Sequence, residues 1–367
     1  MQQRAIVVGI VLLCVAVSAG CIGGLHRSAI PPSIVPVETE DAWQQCTCSF
    51  PFEQTVHEIT VSIDPAVYYG AKEADKLLYL RNDLTREEWL PIYYLAFIDD
   101  AHQDAFYHAL IAELRAIRAE ASLDGDRYLE LCTVFVQSIP YEDDAPHVAP
   151  KFPIETFADG GGDCDDKSLL LAALLAREGY NASLLFFEGE QHMAVGVQCD
   201  GPGFRDAGYA YIETTNVTYI GVPPQHLVGG IELGSDPLVI PVGDGTLGYG
   251  RCAETAALES ALDICRERLA VLEEEAGASY QKLQALEEEL DALRTEMDAL
   301  SRAGRVSEYN RLVPEYNRHV SAYNRVRDAY NGIIGESRRY AGIHNYIVSH
   351  AHDRAGTYAW LIEQGQL

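Results

Sequence analysis

The C-terminal third leaves this chain the least freedom. From Leu258 to Leu300 apolar residues alternate spacings of four and three, as in Leu258, Leu262, Cys265, Leu269 and Leu272, and again in Leu286, Leu290, Leu293 and Met297. A seven-residue period keeps one stripe of a helix facing the same way, so the segment reads as a long helix whose stripe another helix covers. Gly304 ends the run. A second period follows: Val306, Val313 and Val320 interleave with Tyr309, Tyr316, Tyr323 and Tyr330, and each tyrosine precedes an asparagine. Two such runs joined by a short break predict an antiparallel coiled-coil hairpin over residues 252–335. The same arms could instead open and pair with a second copy or another coiled-coil partner. At about 1.5 Å per residue the first arm is about 75 Å long. Pro314 is expected to kink or interrupt the second arm. The tyrosine–asparagine repeat reads as aromatic core packing. Residues 336–367 read as one last amphipathic helix, through Tyr340, Ile343, Tyr346, Ile347, Tyr358 and Leu361.

The remainder must supply a globular core. Residues 55–63 alternate as a strand, with Ile59, Val61 and Ile63 on one face. From Tyr68 to Phe135 the spacing is helical, through Trp89, Tyr93 and Phe97, then Phe106, Leu110 and Leu114. Strand patterns return at 183–187, 191–199 and 208–215, with a short strand near Leu238–Val242. Helices followed by strands imply an α+β domain over residues 53–250. Before it, residues 22–52 hold Pro31, Pro32, Pro36 and Pro51 and little periodicity, which reads as a tether.

The start of the chain points outward. Arg4 precedes an apolar run from Ala5 to Ala19, which ends in Ser18-Ala19-Gly20-Cys21. A basic residue, a short apolar stretch and small residues before a cleavage point describe a secretory signal over residues 1–21. The triplet before Cys21 resembles a lipoprotein lipobox, which implies that Cys21 becomes a lipidated first residue; the alternative is an uncleaved apolar anchor. Either way the expected location is a membrane-anchored, extracytoplasmic cell surface. The formal net charge of -28 excludes nucleic acid as a partner. Removing Cys14 and Cys21 leaves Cys46, Cys48, Cys132, Cys164, Cys199, Cys252 and Cys265. That number is odd, so at least one thiol stays free; Cys164 is the candidate.

The densest chemistry is Gly160-Gly161-Gly162-Asp163-Cys164-Asp165-Asp166-Lys167-Ser168, ahead of Leu169-Leu170-Leu171-Ala172-Ala173-Leu174-Leu175. The glycines make a tight loop, Asp163 or Asp165 caps a helix, and Gly179 suits its far end. Cys164 then sits at the tip of a buried helix, where free N–H groups favour a thiolate and the flanking aspartates oppose it. A base is needed. His192 shares a strand face with Ala194 and Gly196. If the next strand pairs antiparallel, position 194 lies opposite 213, and Glu213 becomes a diagonal neighbour of His192, able to orient its ring. Asp206 and Asn216 are weaker substitutes for Glu213. No cofactor and no metal is expected. Cys46-Thr47-Cys48 lacks a second ligand pair with zinc-like spacing, and Asp143, Asp144 and His147 read as a polar loop. A metal at the aspartates around Cys164 is the lesser alternative.

These segments, with His192-Met193-Ala194-Val195-Gly196-Val197 and Tyr211-Ile212-Glu213-Thr214-Thr215, resemble the transglutaminase-like superfamily. The resemblance is clear over about 130–220 and weaker over 55–250. It implies a papain-like core in which the helix carrying the cysteine packs on an antiparallel sheet. It implies Cys164 as nucleophile, His192 as general base and acid, and Glu213 as orienter, in a position where Asp is usual. It also suggests Gln137 as an oxyanion-hole donor. The implied activity is cleavage or transfer at an amide or peptide bond of a protein or peptide substrate. The rival expectation is a surface binding or structural protein that keeps the fold without turnover.

Overall fold

The computed structural model describes residues 29–81, 83–142, 148–201, 203–224, 226–227 and 230–367. The leader with Cys14 and Cys21, and the loop residues Asp143, Asp144 and His147, lie outside the described residues. The chain mixes helix and sheet in the α+β manner. It divides into two units, residues 1–256 with 351–359, and residues 257–350 with 360–367.

The first unit opens with β1 (Ala29–Ile30) and β2 (Gln44–Phe52), which pairs antiparallel with β3 (Thr55–Ile63). Four helices follow: α1 (Pro65–Glu73), α2 (Arg86–Ile98), α3 (Asp104–Glu120) and α4 (Gly125–Ser138), with the short strand β4 (Tyr79–Leu80) pairing back to β1. Then come α5 (Pro153–Asp159), α6 (Cys164–Arg177), β5 (Ala182–Phe187), β6 (His192–Gln198), β7 (Tyr209–Ile212) and β8 (Leu238–Val242). The last four strands form one antiparallel sheet in the order β7-β6-β5-β8. Every residue of β5 is buried, as a central strand covered on both faces requires. Helix α6 lies against β5 and β6 with α4 and α5 beside it. Its residues from Leu169 to Leu175 are all fully buried. A helix apolar on every side belongs inside.

The tether expected over 22–52 is corrected from residue 29 onward, and residues 22–28 lie outside the described residues. Residues 44–52 are strand β2, and Ile34 is only 1% exposed within the core. The Ile34 N–H donates to Asp100 Oδ2 at 2.7 Å, and a Cβ at Gly70 would stand 2.4 Å from the Val35 carbonyl oxygen. The prolines suit an extended path pressed onto α1, a path with no period to read.

The second unit is built on α7 (Cys252–Arg302), from residue 257 onward, and α8 (Val306–Ser349), with Gly304 at φ +72° between the two helices. Arg268 meets Glu336, Tyr280 meets Tyr330 with ring centroids 6.2 Å apart, and Glu289 meets His319. Residue numbers rise on one helix as they fall on the other. Leu272, Leu283, Met297 and Leu300 are buried along α7. Two expectations change here. Helix α8 runs through Pro314 without a break. Both Pro314 and Asn310 are exposed, so water can serve the carbonyl that the missing N–H leaves open. The boundary at 335/336 is absent. Helix α8 continues to Ser349, and a separate α9 spans Arg354–Glu363. Asp353 caps α9, accepting the Gly356 N–H at 2.7 Å.

Candidate active site

Two glycines shape the approach to Cys164. Gly160 ends α5 at φ +70°, a conformation that costs most other residues. A Cβ on Gly162 would lie 2.7 Å from the Asp166 Cβ, so only glycine lets that carboxylate fold back over the turn. Asp163 is the N-cap of α6, and its Oδ1 accepts the N–H groups of Asp165 at 3.1 Å and Asp166 at 3.3 Å. Asp166 returns the favour, accepting from the Asp163 N–H at 3.3 Å and the Lys151 N–H at 2.6 Å. One oxygen each of Asp163, Asp165 and Asp166 lies within 4.8 Å of the others, with the backbone amides already occupying Asp163 and Asp166.

Cys164 is therefore the first residue of α6, half-buried, with its thiol reaching the backbone N–H of Met193. That amide follows His192 in the chain, so the thiol lies against the backbone at the start of β6. Ser168, one turn further along α6, donates to the Met193 carbonyl at 3.1 Å and lies 3.1 Å from Thr214 Oγ1. Burial pushes the Cys164 thiol well above its ordinary value of 9.0, and the charges of Asp165 and Asp163 push it further. The Met193 N–H works the other way. At rest the sulfur holds its proton.

The imidazole side is different. The β6–β7 ladder pairs Val195 with Ile212 and Gly196 with Tyr211, a register that continues to 194 opposite 213. His192 is 6% exposed and Glu213 1%. His192 Nε2 lies 3.3 Å from Glu213 Oε2 and 3.0 Å from Tyr211 Oη. The Tyr211 hydroxyl donates to the same Oε2 at 2.7 Å. Glu213 Oε1 accepts the N–H groups of Thr214 at 3.0 Å and Thr215 at 2.9 Å and the Thr215 hydroxyl at 2.7 Å. Burial alone would raise the Glu213 carboxyl, but His192 and Thr215 outweigh it and hold the value at about 2. Among the described residues, the hydrogen bonds of the His192 ring all run through Nε2, which leaves Nδ1 as its proton acceptor. Phe187 and Phe204 wall this corner, with Phe204 and Tyr211 ring centroids 5.2 Å apart.

Strand β7 stops at Ile212, short of the expected 215. Beyond it the chain turns, and the Glu213 carboxylate takes the N–H groups of both Thr214 and Thr215. Among the described residues the imidazole's partners are Tyr211 and Glu213 rather than Asn216, and the Asp206 side chain lies outside the described residues.

Gln137 is corrected. It is buried, but its Nε2 donates to the carbonyls of Glu213 at 2.7 Å and Thr218 at 3.0 Å. With both N–H bonds committed, it has none for an oxyanion. It holds the turn that presents Glu213.

Sequence reasoning passed over Tyr211, Thr215, Ser168 and Lys167. Tyr211 and Thr215 share the strand face of Glu213, which was a usable signal. Lys167 interrupts an apolar run, the sign of a buried polar role. It is fully buried, and its Nζ donates to the carbonyls of Gln137 at 3.2 Å and Ile139 at 2.6 Å, at the C-terminal end of α4. Burial lowers its pKa to about 8. The negative end of the α4 dipole makes a buried ammonium tolerable there. Compared with known protein families, curated proteins and solved structures, the chain matches none.

Proposed function

We propose that this chain is a transglutaminase-like cysteine enzyme acting on an amide or peptide bond through Cys164, His192 and Glu213. The observation that carries the reading is the buried His192–Glu213 pair at 3.3 Å, bridged by Tyr211, beside a thiol at the head of a buried helix. An anionic Glu213 orients the ring and stabilises an imidazolium. His192 takes the thiol proton through Nδ1 as the sulfur attacks the carbonyl carbon. The same proton then passes to the departing amine, leaving a thioester. Water or a second amine attacks the thioester and restores the thiol. The backbone N–H of Cys164, which precedes the first intrahelical bonds of α6, is the available donor for the oxyanion.

The finer fold belongs to the same reading. The α6-on-sheet arrangement is taken as a papain-like core, and the α7–α8 pair as a coiled-coil hairpin that positions the enzyme or binds a partner. The leader would tether it to the outer face of a membrane through Cys21 or the apolar segment. Among the described residues no helix is long and apolar enough to cross a membrane.

One observation favours a second reading, a binding protein without turnover: burial and two aspartates keep the Cys164 thiol protonated, and Gln137 offers no donor. Alkylation separates the two. The thiol is treated with iodoacetamide near pH 7, and the Cys164 peptide is followed by mass spectrometry. An enzyme should label at Cys164, with His192→Ala slowing that labelling about tenfold or more. Equal labelling in both proteins would leave the binding reading.

A further inference from the structure

We propose that Cys199 and Cys252 form a disulfide that closes the segment carrying Tyr211, Glu213 and Thr215. The proposal concerns a covalent clasp and stands whether or not Cys164 reacts. Cys199 directly follows β6, and Cys252 opens α7. The backbone brings them together: Cys199 bridges to Tyr249, and the Tyr249 N–H donates to the Gln198 carbonyl at 2.7 Å. A Cβ on Gly248 would stand 2.9 Å from the Gln198 carbonyl oxygen, so a glycine there permits the two strands of chain to approach. The Cys252 sulfur lies 4.0 Å from the carbonyl of Tyr249, the residue to which Cys199 bridges, and the Cys199 side chain neighbours the Cys252 thiol. Both residues are half-buried with free thiols.

Among the described residues the other cysteines fit no such pairing. Cys46 and Cys48 stand two apart on β2, a separation of about 6.6 Å, beyond the Cβ distance a disulfide spans. Cys132 is fully buried, with its thiol pushed up to about 12 by burial. Cys265 belongs to the second unit. Cys164 is held at the site. Among the described residues a single 199–252 bridge therefore leaves an odd set of free thiols that includes Cys164.

Closure requires an oxidant of the disulfide class, such as oxidised glutathione. The Cys199 thiol loses its proton and its sulfur attacks one sulfur of the oxidant. That S–S bond breaks, a mixed disulfide forms, and one thiolate leaves. The Cys252 sulfur, after losing its own proton, attacks the Cys199 sulfur and expels the second thiolate. The protein gives up two electrons and two protons, and the oxidant becomes two thiols. Burial and the neighbouring Cys199 push the Cys252 thiol up, and the exchange is written here from the Cys199 side.

The test uses the full chain, reduced and then incubated with oxidised glutathione. Remaining thiols are blocked with iodoacetamide, and the protein is digested without reduction and mapped by mass spectrometry. The expected product is one linked pair of peptides containing Cys199 and Cys252. The oxidised protein should also melt about 5–10 °C higher than the reduced one, because the bridge restrains the unfolded chain. Cys199→Ser should abolish the shift. Blocked peptides at both positions, or either cysteine linked elsewhere, would overturn the clasp. Repeating the map on Cys164→Ala keeps this outcome distinct from the catalytic reading, since the bridge should form unchanged.

Discussion

Two turns meet at Cys164, both built on carboxylates, and they tune those carboxylates in opposite directions. At 213–215 one carboxylate gathers His192, Tyr211, two backbone N–H groups and a threonine hydroxyl, and its pKa falls to about 2. At 163–166 three carboxylates share the space. Burial and the charge of Asp163 raise Asp166 to about 7, although two backbone N–H groups serve it. Asp165 rises well above its ordinary value through burial and its contact with Asp163. The difference lies in donors per charge. Five donors on one anion outweigh desolvation, whereas a few donors spread over three like charges do not. One turn holds a fixed anion against the His192 ring. The other caps a helix and keeps the neighbouring thiol protonated.

The largest effect should come from dismantling the well-served anion. Glu213→Gln replaces an acceptor-only group with one whose NH2 must face existing donors. The depression from 4.5 to about 2 corresponds to about 3 kcal/mol of stability at pH 7. A depressed carboxyl contributes fully above its unfolded value and loses that contribution as pH falls through the folded one. Urea unfolding should thus show a gap of about 3 kcal/mol between wild type and variant at pH 7, shrinking between about pH 4.5 and 2. A gap that ignores pH would break the contrast between the turns.

Next in size is the support beneath that turn. Gln137→Ala leaves the buried carbonyls of Glu213 and Thr218 without their donor. Leaving such groups unserved costs about 1–3 kcal/mol, so about 2 kcal/mol is expected. Urea unfolding measures it. Unchanged stability alongside lost alkylation at Cys164 would instead return Gln137 to a direct part in the chemistry.

The same contrast marks what could be read in the sequence. Regular periods carried far. The heptads of 258–300 anticipated α7, the alternation of 55–63 anticipated β3, and strand faces placed 194 opposite 213. Side-chain hydrogen bonds to the backbone carried no period and were missed. Glu213 accepts its neighbours' N–H groups in the turn after β7, and Gln137 spends its amide on two carbonyls 76 and 81 residues away. Segments 29–43 and 350–353 show the same limit. Ile34 reaches the core from a proline-rich path, and α8 yields to α9 at Asp353, an N-cap hidden within an apparently continuous amphipathic pattern. Asx capping was the legible clue there.

The smallest effect is the most discriminating, because it separates charge from capping in the acidic turn. Asp163 performs two tasks: its Oδ1 accepts the N–H groups of Asp165 and Asp166, and its charge raises the Cys164 thiol. Asp163→Ala removes both and should cost about 1 kcal/mol through the lost cap. Asp163→Ser keeps a capping oxygen and removes only the charge, so its cost should stay under about 0.5 kcal/mol. Both should lower the thiol pKa, since a nearby like charge disfavours the thiolate. Iodoacetamide should then label Cys164 about threefold faster at pH 8 in either variant. If Asp163→Ser were as stable as wild type yet labelled no faster, burial and Asp165 would hold the proton on the sulfur without Asp163, and the crowding of charge in this turn would not reach the thiol through its cap.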